Sequence, residues 1–444
     1  MEGAIIMKEE IDRVNLSPDG HNKLCGSAER FMKLLCLSNG HGEDAIAIQI
    51  AQALRHHPQA PEIAALPIVG TGHAYQAADI PIIGPVKAMP SGGFIYMDSR
   101  QLWQDVQGGL LGLTLAQIRV ARRWAKDGGT ILAVGDIVPL AIAAFSGATY
   151  GFVGTAKSEY YIRDDRGQLL KSRRGEGWSG SVYLPWERWL MGRSPCRAVY
   201  PRDGLTTTIL KRYKIKAHNL GNPMMDGLVV PRYTQSAIPE DQRPLMVLLL
   251  PGSRPPEAQS NWQTLITTAQ ELCRTPPTPA PLLFLAALAP GLDAADFLPT
   301  LTQYGWRSGP LPSVPPLTDP EAQGFQQGDH RLVITQRDYA ACLNGADMAI
   351  AMAGTATEQF VGLGKPVITL PGTGPQFTPQ FAEAQTRLLG VSVTLLKQPQ
   401  DVPKICQSLL GNPDTLQIIA ENGDRRMGQL GAAARIADHL LTVL

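Results

Sequence analysis

Four short loops carry the residue types that can hold and transfer a charged group. At 248–257 the chain reads LLLPGSRPPE. The apolar run Leu245–Leu250 predicts a buried strand, and it breaks into Gly252, Ser253 and Arg254, a close-approach backbone followed by a hydroxyl and a guanidinium. Those parts suit an oxyanion; the competing reading is an ordinary strand-to-helix loop with a surface arginine. A second run, MAIAM at 348–352, leads into Ala353, Gly354, Thr355, Ala356, Thr357, Glu358 and Gln359. Free amides and the dipole at a helix start make an anion site, against the common alternative of a threonine N-cap. Two such loops on one sheet can hold a diphosphate between them, with Glu358 or Gln359 placed to bond ribose hydroxyls. Downstream, PGTGPQFTPQFAEAQ (371–385) offers Gln376, an amide for a sugar hydroxyl or simply a surface side chain.

The other two loops lie in the first half. SNGHGED (38–44) sets Gly40, His41, Gly42, Glu43 and Asp44 at a strand-to-helix turn. Glu43 and Asp44 either cap that helix or, with the glycines, form the floor for an acceptor, to which Gly92 and Gly93 are also assigned. Asp136 ends the apolar run ILAVGD, where an acid has no packing reason to be. A carboxylate there can take a proton from an attacking hydroxyl, or it can cap the helix that begins near Pro139. The catalytic candidates are therefore Asp136, His41 and Glu43.

These loops need rigid elements behind them. Strand, glycine turn and helix follow one another from MKLLCL (32–37) through AIAIQIAQAL, with further strands at Ala64–Val69 and Thr130–Val134 and a helical stretch near Ser99–Lys126. The second half repeats the alternation, with strands LMVLLL, PLLFLAAL, RLVIT, MAIAM and PVITL and helices near Ala258–Leu272 and Thr378–Leu389. Alternation of this kind predicts an α/β fold of two doubly wound Rossmann-like domains with parallel sheets, whose ligands sit at the carboxyl ends of the strands around a central cleft. The expected division is a flexible extension over 1–30, an N-terminal acceptor domain over 31–222, a hinge over 223–243 beginning at GNPMMD, a C-terminal domain over 244–422 and a helix over 423–444 that packs back on the first domain.

A chain of 444 residues is too long for one core. Its formal charge of +1 lacks the basic excess of a nucleic-acid binder. Cys25, Cys36, Cys196, Cys273, Cys342 and Cys406 are scattered, with no zinc-ligand spacing, which fits free thiols in a reducing compartment. No apolar run reaches the roughly 18 residues of a membrane span, and the stretch to Arg30 lacks a signal-peptide core. The expectation is a cytoplasmic protein, soluble or peripheral to a membrane.

Charge is nevertheless uneven. Between Thr155 and Leu220 there are 14 Lys or Arg against 6 Asp or Glu, interleaved with aromatics. In YLPWERWLM, Trp186, Trp189 and Leu190 fall at helical spacing, with Arg188 and Arg193 nearby. Over about 155–200 this reads as a basic, Trp-bearing face for an anionic bilayer, or as a core-packed helix beside a solvated basic loop.

LLLPGSRPPE, GNPMMD, Asp136 and AGTATEQ with GKPVITLPG together resemble bacterial lipid-A-disaccharide synthase, an inverting glycosyltransferase of the GT-B type, and more closely the related proteins of cyanobacteria. The resemblance runs from about Met32 to Leu444. It implies a UDP-sugar held by the second domain and a lipid acceptor held by the first, with Arg254 on the family's PGSR arginine, Asp136 on its proposed catalytic aspartate and Thr355 on its GTA threonine. Two places differ. The family's AGExSGD loop is SNGHGED here, nearer the glycine-histidine turns of lipid-linked N-acetylglucosaminyltransferases of peptidoglycan synthesis, and its ribose-binding glutamate is Gln359, with Glu358 beside it.

The function expected is transfer of an N-acetylglucosamine- or glucose-type sugar from UDP to a membrane lipid, with no metal and no cofactor beyond the UDP-sugar co-substrate. Arg254 and the helix end at Thr355 would neutralise the leaving diphosphate. The alternatives are a UDP-sugar epimerase of the same fold and a non-catalytic nucleotide-sugar or lipid-binding protein. A homodimer is compatible with the sequence.

Overall fold

Unbroken apolar runs become central strands because helices cover both of their faces. The computed structural model describes residues 32–87, 110–170, 177–228, 243–313 and 315–444; the side chains of His41, Leu110 and Leu111 are outside the described set, as are Gly92 and Gly93. The first sheet contains β1 (Lys33–Ser38), β2 (Glu62–Pro67), β3 (Thr130–Gly135), β4 (Tyr150–Gly154) and β5 (Cys196–Pro201). Its order is β2-β1-β3-β4-β5, with every neighbouring pair parallel. Alternation along β1 sends Leu34 and Cys36 to one core and Leu35 and Leu37 to the other. The first core is closed by helices His41–Arg55 and Ala432–Val443, the second by Leu110–Lys126, Ile137–Ser146 and Pro185–Gly192. Each fully buried Leu or Ile contributes about 1.5–3 kcal/mol.

The second sheet contains β6 (Leu245–Leu250), β7 (Leu282–Ala287), β8 (Arg307–Ser308), β9 (Gln323–Gln327), β10 (His330–Thr335), β11 (Met348–Ala351), β12 (Val367–Thr369) and β13 (Val393–Leu395). The order is β13-β12-β11-β6-β7-β10-β9-β8. From β13 to β10 the pairs are parallel, whereas β10, β9 and β8 run antiparallel, an edge that the alternation of strands and helices did not predict.

Strand order fixes where ligands can enter. In the first sheet the winding reverses between β1 and β3, and in the second between β6 and β11. Loops on the two sides of such a reversal part and leave a crevice. The loops that open there are SNGHGED and the turn at Asp136 in one half, PGSR and AGTATEQ in the other.

The C-terminal segment differs from the single helix expected over 423–444. Helix Pro413–Met427 ends, the chain turns through Gly428 and Gly431 in left-handed conformations (φ 75° and 84°), and helix Ala432–Val443 follows. A Cβ on Gly428 would come within 2.8 Å of the Gly221 Cα, so this crossing point has room only for glycine. Asp226 fastens the second helix: its carboxylate accepts from the amides of Gly431, Ala432 and Ala433. Ile436, Ala437 and Leu440 then lie in the core beneath β1 and helix His41–Arg55.

Candidate functional site

At the first reversal, two carboxylates meet. Asp136 caps helix Ile137–Ser146 by accepting from Val138 N at 2.9 Å, so its capping role is real. Its second oxygen accepts from Asn39 Nδ2 at 3.1 Å, a bond that spans the β1–β3 reversal. Glu43, one turn into helix His41–Arg55, accepts from Thr155 Oγ1 at 3.3 Å. Gly135 keeps the two acids close: a Cβ there would lie 3.2 Å from Glu43 Cγ. Burial, together with the Asp136 charge, pushes the Glu43 carboxyl up to about 7; burial also raises Asp136, against the bonds from Val138 and Asn39. A carboxyl balanced near neutrality beside a second acid is suited to proton transfer.

Not all of SNGHGED belongs to this cluster. Asp44 is buried and accepts from Ser38 Oγ at 2.5 Å, and Ser38 Oγ in turn lies 2.6 Å from Tyr75 Oη. Asp44 therefore holds the first helix in place and offers nothing to an acceptor. Gly40 begins the helix with φ 126°, a conformation open to glycine, while a Cβ at Gly42 would meet nothing within 4 Å. The two glycines serve different ends: one bends the chain, the other stands at an open surface.

At the second reversal, β6 and β11 pair directly, with Leu250 opposite Ala351. Asn261 ties the loops beyond them by donating to the carbonyls of Pro251, at 3.0 Å, and Met352, at 3.3 Å. Gly252 takes φ 100° beside the Met352 carbonyl, Ser253 is exposed and Arg254 is half-buried, its guanidinium pKa lowered by burial against the pull of Glu257. Gly354 is the N-cap of helix Thr355–Gly362 and supplies no side-chain cap; Thr355 is exposed at the first turn and Ala356 is half-buried. Thr357 points inward and bonds the Ala353 carbonyl. The N-terminal amides of that helix thus open beside PGSR, as an anion site requires. Glu257 brings in the third loop by accepting from Gln376 N and Phe377 N, which leaves the Gln376 side chain half-buried at its rim.

Glu358 and Gln359 are placed differently from the ribose contact expected of them. Glu358 accepts from Arg202 Nη2 at 2.7 Å, with both residues buried. Gln359 Oε1 accepts from Tyr339 Oη, and its Nε2 donates to the Met224 carbonyl. Both side chains are committed to protein partners, and Glu358 joins the two halves. Arg202, just past β5, also donates to the Thr155 carbonyl at 3.2 Å, so one guanidinium connects the Glu43 neighbourhood to helix Thr355–Gly362. Asn39, Thr155, Arg202, Glu257 and Asn261 went unassigned in the sequence. Asn39 stands inside SNGHGED and was within reach; Thr155 and Arg202 follow β4 and β5, strands that the pattern did not reveal.

The basic and aromatic segment divides in two. Three of its cations are paired internally, Lys157 with Glu187, Arg163 with Glu159 and Arg202 with Glu358. Leu190 of helix Pro185–Gly192 is buried in the core, whereas Trp186 and Trp189 are 54% and 58% exposed. Arg193 lies over the rings of Trp189 and the exposed Phe145, and Arg188 over Tyr213. Among the described residues no helix is long and apolar enough to cross a membrane.

No family model matches the chain, and no curated protein does. Solved structures do: UDP-GlcNAc 2-epimerase of Neisseria meningitidis bound to UDP-GlcNAc is similar at 14% identity and TM-score 0.54, over 93% of this chain and 100% of that one. MnaA of S. aureus with UDP is similar at 12% identity and TM-score 0.54, over 93% and 98%. MurG of Acinetobacter baumannii is similar at 13% identity and TM-score 0.53, over 93% and 99%. The fold is of the GT-B type, two Rossmann-like α/β halves with largely parallel sheets. At these identities the likeness concerns the fold.

Proposed function

We propose that the cleft binds a UDP-sugar and transfers its sugar to a hydroxyl of a membrane-associated lipid. The observation that carries this reading is the pairing of an anion site with an acid pair. PGSR and the start of helix Thr355–Gly362 open together at one reversal, and the near-neutral Glu43 stands beside Asp136 at the other. The diphosphate lies against Arg254 and the amides at Thr355 and Ala356, whose fixed charges stabilise the leaving group as the sugar bond breaks. Glu43 or Asp136 takes the proton from the attacking hydroxyl.

The exposed Trp186, Trp189 and Phe145 with Arg193 support a lipid acceptor. Phe145 stands at the far end of the helix that Asp136 caps, roughly 14 Å along its axis at 1.5 Å per residue, which is the span an acceptor anchored on that face has to cover to reach Asp136.

Epimerisation of the UDP-sugar is the second reading, favoured by the presence of two acids and by the epimerases among the similar structures. The two are separated by incubating UDP-N-acetylglucosamine in D2O without lipid. Deuterium on a sugar carbon and a changed sugar nucleotide establish the epimerase; an unlabelled, unchanged donor that is consumed only when lipid is added establishes the transferase.

A further inference from the structure

We propose that a groove beside β5, at the edge of the first sheet, binds a phosphate-type dianion at a site separate from the cleft. The groove is a cavity of about 510 Å³ between β5, the end of helix Gly204–Arg212, the strand-like return at 215–218 and the end of helix Ala432–Val443. Arg197, Lys211, Lys216 and His218 line it, with Ile215 and Val443 as apolar walls, and no carboxylate is among its lining residues.

The cations of this groove differ from several buried or half-buried ones of the molecule: Lys157, Arg163, Arg202 and Arg426 each meet an acid. Arg197, Lys211 and Lys216 make no ion pair among the described residues. The helix dipole accounts for Lys211 in the last turn of its helix, but not for Arg197 on a strand or for Lys216.

A second observation concerns the wall. The His218 ring stacks on His439 with centroids 4.2 Å apart, and His439 Nδ1 lies 2.8 Å from Tyr200 Oη. Burial lowers both imidazole pKa values, and for His218 the neighbouring His439 and Lys211 lower it further. Burial is the first cause of the lowered values, and at His218 the neighbouring cations add to it; an anion in the groove opposes that second part. A doubly charged phosphate, a strong acceptor, suits a groove lined by several cationic donors and no carboxylate.

Two sources share this chemistry, a soluble phosphate compound and the headgroup of an anionic lipid. The lipid is brought in by position: Arg188, on the helix that bears Trp186 and Trp189, lies 3.9 Å over the Tyr213 ring that follows Lys211 and Arg212.

The test uses the full chain and the double variant Lys211→Ala/Lys216→Ala, both exposed positions. Inorganic phosphate is titrated while the His218 ring is followed by NMR, and both proteins are sedimented with phosphatidylcholine vesicles with and without phosphatidic acid. The expected result is a His218 pKa raised by about one unit on phosphate addition, a shift the variant lacks, with binding weakened about tenfold. Vesicle binding that depends on phosphatidic acid and is lost in the variant makes the source a lipid headgroup; vesicle binding equal in both proteins beside a lost phosphate shift makes it a soluble compound. If neither titration nor sedimentation distinguishes variant from wild type, the proposal is overturned.

Discussion

Arg202 Nη2 lies 2.7 Å from a Glu358 carboxylate oxygen, and this buried pair joins the end of β5 to the helix that begins at Thr355. The Glu358 charge raises the Arg202 pKa against the effect of burial. Breaking one side leaves the other charged and unpaired in the interior. Glu358→Ala or Arg202→Ala alone should cost about 3 kcal/mol or more, and the double variant Arg202→Met/Glu358→Met less than the sum of the single variants. Urea unfolding of the four proteins measures this.

Glu43 makes stability depend on pH in a defined direction. Its carboxyl is raised from 4.5 to about 7 in the folded chain, so between those values the folded protein holds a proton that the unfolded chain has released. Stability accordingly falls as pH rises through that window, by up to about 3 kcal/mol. Glu43→Gln should flatten the profile and gain stability at pH 8 relative to wild type. Unfolding midpoints at pH 5 and pH 8 check the sign.

In activity the same residue has the opposite slope. If Glu43 is the base, turnover in wild type rises with pH through about 7 as the carboxylate ionises, and Glu43→Gln loses that limb. A pH–rate profile in which the limb survives in Glu43→Gln moves the role to Asp136.

Asp136 serves two purposes that one substitution separates. Asparagine is a good N-cap, so Asp136→Asn should change stability by less than about 1 kcal/mol while turnover falls at least about a hundredfold. Asp136→Ala should lose both. Thermal unfolding and turnover, measured together, distinguish the cap from the chemistry.

On the anion side, Arg254→Ala should weaken UDP binding about tenfold to a hundredfold, the worth of a charge-assisted contact. Thr355→Ala should weaken it less, since the backbone amides at that helix start persist. Calorimetry with UDP gives both numbers.

Much of this was legible in the sequence because apolar runs that end in glycine mark the carboxyl ends of buried strands. LMVLLL and MAIAM, both read as strands of one sheet, lie side by side, and PGSR and AGTATEQ open at one reversal. What stayed hidden depends on distant partners. Glu358 reads as a ligand contact until Arg202, 156 residues away, is brought to it, and Asp44 reads as an acceptor floor until Ser38 and Tyr75 close around it. β4 (YGFVG) and β5 (CRAVYP) have Gly151 and Arg197 inside them and so show no unbroken apolar run to announce them, and the residues after them were missed with them. The break at Gly428 needs the neighbouring Gly221 backbone to explain it, which a linear pattern cannot supply.

The central claim is that the cleft turns over a UDP-sugar onto a lipid. Purified protein is incubated with UDP-N-acetylglucosamine or UDP-glucose and host lipid extract, and UDP release and lipid masses are followed together. A lipid whose mass rises by one sugar as UDP appears, in wild type and not in Asp136→Asn, is the predicted result. UDP bound but never released, with every donor and no new lipid mass, contradicts it.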